Sequence, residues 1–350
     1  MDNQHRGRRR TWTRLAACLA ALALIAAGCG DDDDDDDAAA EDSGGGTINI
    51  SGSSTVLPVT QLTAEFYADA GNDAVINVDG PGTGDGFVLF CDGETDVSDA
   101  SRPISEEEIA TCEANGIEYV ELYIAIDGIS VLTSPANDAV ECLSFADLYA
   151  LVGPESQGFS TWGDAQALAS DLGSTTQFPA DAPLDITAPG EESGTYDSFI
   201  EIVLEGYAEE RGQEPQARPD YQSSADDNII LQGIEGSDSS LGWVGFAYFE
   251  ESAGATKALA VSAEPGGDCV EPNTDTIASG DYPVSRPLFI YVNAESAESN
   301  SALAPFIDFY LSDDGIGAVT EAGYVDIPGE DLDATRAAWE ARTTGAQFGS

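Results

Sequence analysis

The sequence predicts an α/β architecture with mainly parallel sheets, and three observations lead to it. Short apolar runs alternate with helical patterns from about residue 47 onward. Strand-helix alternation of this kind favours parallel strands with helices as crossovers. The folded part is roughly three hundred residues long, enough for two domains. Hydroxyl and glycine residues recur where apolar runs hand over to helices, as helix starts require.

The N-terminal segments stand apart from this pattern. "RGRRRTWTRLAACLAALALIAAGC" combines a basic stretch, an apolar run from Leu15 to Ala27 and small residues before Cys29. It reads as an export signal over residues 1–28, too short in its apolar part for a membrane span. Ile25-Ala26-Ala27-Gly28-Cys29 resembles a bacterial lipobox, which would make Cys29 the lipidated first residue of the mature chain. Residues 29–46, with seven consecutive aspartates followed by small residues, bury nothing and repel themselves, so they form an extended acidic tether.

Strands are expected at 47–53, 74–80, 118–134, 184–190, 241–249, 257–262 and 287–293. Helices are expected at about 58–70, 105–115, 144–152, 196–210, 225–235, 299–311 and 331–342. The helix at 105–115 has the plainest limits, a capping box from Ser105 to Glu108 and a stop at Asn115-Gly116. In the helix at 196–210, Phe199, Ile202, Val203 and Leu204 share one face and Glu201, Glu205, Glu209 and Glu210 the other. The terminal "ARTTGAQFGS" reads as a frayed, disordered tail.

Charge and composition narrow the function. The chain carries 12 Lys or Arg against 65 Asp or Glu, a net charge of −53. Without residues 1–28 the balance is −57, with seven cations left, which makes nucleic acid and anionic membrane surfaces unsuitable partners. The single histidine, His5, leaves with the signal. A Ser-His-Asp or Cys-His mechanism and a His-ligated zinc site are therefore ruled out, and neither cofactor nor metal is expected. Cys91, Cys112, Cys142 and Cys269 remain, an even number in an exported chain that suggests two disulfides. Of three pairings, closeness in sequence favours Cys91 with Cys112, leaving Cys142 with Cys269.

Four strand-to-helix junctions carry the chemistry. In "SGSSTVLP", Ser53, Ser54 and Thr55 precede a helix opened by Pro58. In "DGPGTGDGFVLF", Gly80, Gly82, Gly84 and Gly86 allow close backbone approach, while Asp85 could take a proton from an anion that still holds one. There is no G-K-[ST], so this is not a nucleotide-phosphate loop. In "DVSDASRPISEEE", Ser101 and Arg102 stand before a capped helix, and the guanidinium fork suits two oxygens of an anion. Ser193, Gly194 and Thr195 open the helix at 196–210 with free N–H groups and the positive end of the helix dipole. If the four converge at strand carboxyl ends, where open α/β sheets bind ligands, they suit a small tetrahedral oxyanion.

"GSSTVLP", "GTGDGF", "DVSDASRPIS", "SGTYDSF", "DYQSSADDNIILQGIEG" and "LGWVGFAYFEE", in this order, resemble the phosphate-binding lipoproteins of Pst-type ABC importers. The resemblance covers about residues 47 to 325 and implies a type II periplasmic-binding-protein fold, two α/β lobes joined by a hinge with phosphate closed between them. Lobe I would take 47–133 plus 263–350 and lobe II 134–262. By motif, Ser54, Thr55 and the N–H of Val56 would bind phosphate, with Thr83, Gly84, Asp85 and Gly86 as the glycine-rich contact and Ser193, Gly194 and Thr195 from the second lobe. Where some family members carry an Arg four residues before the S-G-T serine this chain has Pro189, and Ser101 stands where some carry a ligand Asp. Arg102 is therefore expected to supply the cation, and Asp85 or Asp99 to accept the phosphate proton. Such an acceptor penalises sulfate, which brings no proton. The implied protein is a monomer and not an enzyme, held by its lipid on the outer face of the cytoplasmic membrane, at the cell surface or in the periplasm. It would hand inorganic phosphate to the membrane permease of an ABC importer. The alternative is the same fold with sulfate, molybdate or tungstate as ligand.

Overall fold

The computed structural model describes residues 46–348 except Glu192 and Ala253. The expected signal, the lipidation position Cys29 and all of the tether but Gly46 lie outside the described residues. Eleven strands are described: β1 (Thr47–Gly52), β2 (Val75–Asp79), β3 (Val97–Ala100), β4 (Tyr119–Thr133), β5 (Cys142–Ser144), β6 (Asp185–Ala188), β7 (Gln222–Ser223), β8 (Ser240–Gly245), β9 (Lys257–Ala258), β10 (Ala260–Ser262) and β11 (Ser285–Asn293). Nine of them join in one sheet, in the order β2-β1-β3-β11-β4-β8-β6-β7 with β9 also on β4. β5 and β10 pair separately.

The two ends of this sheet are parallel, β1 with β2 and β3, and β6 with β7 and β8. Its middle is antiparallel, which corrects the expectation of mainly parallel sheets. The reason lies in chain path: β11 returns from the second half of the molecule alongside β4, so the two run in opposite directions. β4 pairs with β11 over Tyr119 to Gly128 and with β8 from Ile129 to Leu132. One fifteen-residue strand thus serves both halves.

Two apolar cores lie on either side of that crossing. Ile48, Ile50, Val59, Ile124, Leu288, Ile290 and Phe306 pack in the first. Ile129, Leu148, Tyr149, Trp162, Phe199 and Trp243 pack in the second, where Phe199 stacks on Trp243 with ring centres 4.1 Å apart. On β4 the change of core falls between Ala125 and Ile126, and at the start of β11 between Val284, just before the strand, and Leu288. The stretch from 263 to 284, expected with the first lobe, contributes Ile277, Tyr282 and Val284 to the second core. Disulfides join Cys91 to Cys112 and Cys142 to Cys269.

Three helices shape the first half: α1 (Leu57–Asp69), α2 (Thr83–Cys91) and α3 (Glu106–Asn115). α3 has the expected capping box between Ser105 and Glu108. α2 is absent from the helices expected above, though the sequence marks its start as a junction; the buried Phe87, Phe90 and Cys91 hold its C-terminal half against a third apolar cluster with Tyr119 and Tyr291. The run at 241–249 is a strand only to Gly245 and then a helix, Phe246–Glu251. The helix expected at 299–311 is two, Ala294–Ser299 and Leu303–Tyr310. The C-terminal residues to Phe348 are not a frayed tail: Gly345 bridges to Val120, and the N–H of Phe348 donates to Glu121 at 2.7 Å.

Candidate functional site

The junction after β1 is built on glycine. Gly52 has φ 151°, and a Cβ there would lie 2.0 Å from the carbonyl oxygen of Asp99. Ser53 then ties the turn down, its N–H donating to the Asp99 carbonyl at 2.8 Å and its Oγ accepting from Thr55 N at 3.1 Å and Val56 N at 3.4 Å. No side chain caps α1 beyond these contacts. α2 is likewise uncapped, so the N–H groups of its first turn remain available. A Cβ on Gly86 would sit 2.4 Å from Gly52 Cα, so these two helix starts meet backbone to backbone.

The third junction joins the second through hydroxyls, Thr83 Oγ1 lying 3.0 Å from Ser101 Oγ and accepting from Ser101 N at 3.2 Å. The fourth is the helix Gly194–Phe199, where Ser193 Oγ accepts from Thr195 N at 3.2 Å. It faces the first across the cleft: a Cβ on Gly194 would be 3.4 Å from the Ser54 carbonyl oxygen. Ser54 Oγ donates to Asp197 Oδ2 at 2.8 Å, and Thr55 Oγ1 lies 3.1 Å from Ser198 Oγ. The helix then widens to π geometry over Ile200–Leu204, a local feature frequent at functional sites.

At the crossing of the long strands stands a cation that the sequence reading missed. Arg286, paired in register with Asp127, donates through Nη2 to Thr55 Oγ1 at 2.8 Å and to Ser198 Oγ at 2.6 Å, and through Nη1 to Glu201. Its Nε is 3.5 Å from Asp127 Oδ2. Both side chains are nearly enclosed, 11% and 3% exposed. Burial pushes the Asp127 carboxyl up, against the opposing pull of Arg286. Arg102, by contrast, forks onto Glu108 at 2.8 and 2.9 Å, with its own side chain 44% exposed. One signal could have found Arg286: Ser285-Arg286-Pro287-Leu288 repeats the pattern Ser101-Arg102-Pro103-Ile104.

A cleft of about 650 Å³ adjoins these groups, lined among others by Thr83, Gly84, Asp85, Ser101, Arg102, Glu201 and Arg286. Asp99 does not line it. Its side chain is sealed within the first half, where burial raises the pKa to about 7. The Thr60 hydroxyl lowers it in part, yet neither carboxylate oxygen makes a well-formed hydrogen bond. What the site offers is hydroxyls, free N–H groups and one enclosed guanidinium, with carboxylates around them, which suits an anion that arrives with a proton.

A profile described as the PBP superfamily domain matches residues 37–314. Among curated proteins, "Protein SphX" of Synechocystis sp. is 38% identical over 87% of this chain and 85% of its own length. "Phosphate-binding protein PstS" of Staphylococcus epidermidis is 34% identical over 79% of this chain and 78% of its own. Among solved structures, "a possible phosphate binding protein from Planctomyces limnophilus" is 36% identical with a TM-score of 0.76, covering 85% of this chain and 99% of that one. The two-lobed α/β architecture and these likenesses agree, and the chain belongs to the PBP superfamily, in the family of the PstS and SphX proteins.

Proposed function

We propose that this chain captures inorganic phosphate by closing its two lobes and delivers it to the permease of an ABC importer. The observation that carries the reading is the enclosed Arg286, which touches both halves, at Thr55 just before α1 and at Ser198 in the helix from Gly194. A planar guanidinium recognises oxyanions by charge-assisted hydrogen bonds, and the uncapped first turn of α2 adds N–H donors without adding charge. The phosphate-binding name of the PstS relatives supports the choice of ligand.

In this reading Arg286, 11% exposed at the meeting of both halves, takes the part the sequence suggested for Arg102, which is 44% exposed on Glu108. Asp85, on the cleft wall, accepts the phosphate proton, and Asp99 acts from below through its backbone hold on Ser53. Ser54, Thr55, Val56, Thr83, Gly84, Gly86, Ser101, Ser193, Gly194 and Thr195 supply hydroxyls, N–H groups and close backbone approach. Export, lipidation at Cys29, a monomeric state and the lack of catalysis belong to the same proposal.

Titration calorimetry of the ligand-stripped chain tests it. Phosphate should bind and sulfate should not, Arg286→Gln should weaken phosphate binding more than about a hundredfold, and Asp85→Asn should admit sulfate. Silence toward phosphate with heat from sulfate or molybdate would replace the ligand, and silence toward all three would reject the reading.

A further inference from the structure

Glu121, near the start of β4, is fully buried, and among the described residues no Lys or Arg pairs with it. A buried carboxylate without a cation is costly unless neutral donors hold it. Three do. Tyr291 OH donates to Oε1 at 2.8 Å, while Phe348 N at 2.7 Å and Gln347 N donate to Oε2. The segment bearing those last two donors is itself fastened, Gly345 N donating to the Tyr119 carbonyl at 2.9 Å and the Phe348 ring leaning on Tyr123.

The chain of bonds does not stop at Tyr291. Its hydroxyl accepts from Ile104 N at 3.0 Å, and Ile104 follows directly on Ser101, Arg102 and Pro103 of the cleft wall. The Tyr291 ring also packs edge-on against Phe87 of α2, with ring centres 4.9 Å apart, and the first turn of α2 forms another part of that wall. Donation to a carboxylate makes the phenol oxygen a better acceptor, so the links reinforce one another.

We infer that residues 345–348 are a strap that, through Glu121 and Tyr291, positions the Ser101–Ile104 wall of the cleft from behind. Glu121 and Tyr291 are thus positioning residues that touch no ligand. The effect on ligand affinity rests on the phosphate-binding reading above; the physical link does not.

The test measures native-state hydrogen exchange at the Ile104 amide and the Kd for inorganic phosphate, using the full chain, Tyr291→Phe, Glu121→Gln and a chain ended at Thr344. Thr335→Val is the control, since it removes another buried hydrogen bond in the same half, Thr335 Oγ1 to the Tyr123 carbonyl at 3.0 Å. The first three variants should speed Ile104 exchange about tenfold beyond the control and raise Kd by about threefold or more, the scale expected for losing one supporting hydrogen bond. If the shortened chain does not fold, Glu121→Gln decides, since it unhooks the strap while leaving the Tyr291 hydroxyl that accepts from Ile104. Ile104 exchange and Kd matching those of the control would overturn the inference. Should the unaltered chain bind no phosphate, the functional reading fails and the exchange result alone decides the strap.

Discussion

Asp99→Asn should make the protein more stable at pH 8 and change it far less at pH 5. The carboxyl is raised to about 7 from an ordinary 3.8 because burial penalises its charge. Well below pH 3.8 both folded and unfolded chains hold the proton, and the group favours neither. As pH rises through 3.8 the unfolded chain releases its proton while the folded one keeps it, so stability falls, and the fall ends once the folded group ionises near 7. At about 1.4 kcal/mol per pH unit, the cost grows by roughly 3 kcal/mol between pH 5 and pH 8. Asparagine keeps the shape without the charge, so the variant should gain about that much relative to wild type over the same interval, or roughly 5 °C in Tm at pH 8. Other titrating groups cancel in the comparison, apart from Tyr310, whose pKa is raised by burial and by Asp99 itself and stays above this range. Scanning calorimetry of both proteins at the two pH values reads the difference. An identical Tm change at both, or a loss confined to pH 8, would refute the assignment of Asp99 as a strained buried acid.

The other expectations concern the cleft and the cross-links. Arg102→Gln should change phosphate Kd less than threefold while Arg286→Gln raises it more than a hundredfold, following the usual gap between an exposed ion pair and an enclosed charge-assisted contact; calorimetry measures both. Asp197→Asn weakens the bond from Ser54 across the cleft and should speed phosphate release about five- to tenfold, read by stopped flow. Opening the Cys142–Cys269 disulfide, which closes 127 residues, should cost about 5 kcal/mol, against about 3 kcal/mol for the 21-residue loop of Cys91–Cys112. Urea unfolding of the two serine double variants would show the order.

Elements whose signals are local were readable from the sequence. α3 announces itself by Ser105, Glu108 and Gly116, and β1 and α1 by apolar periodicity and Pro58. α2 was hidden because Thr83-Gly84-Asp85-Gly86 carries turn residues, and what makes it a helix is burial of Phe87 and Phe90 in a cluster assembled from distant strands. The C-terminal segment is polar and glycine-containing, with nothing local to show that a buried Glu121 needs its N–H groups. The choice between Arg102 and Arg286 was closed to sequence reasoning for the same reason. Both stand in Ser-Arg-Pro followed by an apolar residue, and only strand register shows that Arg286 faces Asp127 while Glu108 takes the other.

The crossing of β4 and β11 has a mechanical consequence. In a two-lobed molecule whose halves turn about shared strands, displacement grows with distance from the axis, and side chains rooted on the axis travel least. Arg286 and Asp127 are opposite one another on those strands, whereas Thr83 to Gly86 and Ser193 to Thr195 ride on the swinging parts. On the proposed reading the cation is a fixed pivot: an arriving anion would meet it already in place, and the lever arms would bring the remaining donors to it.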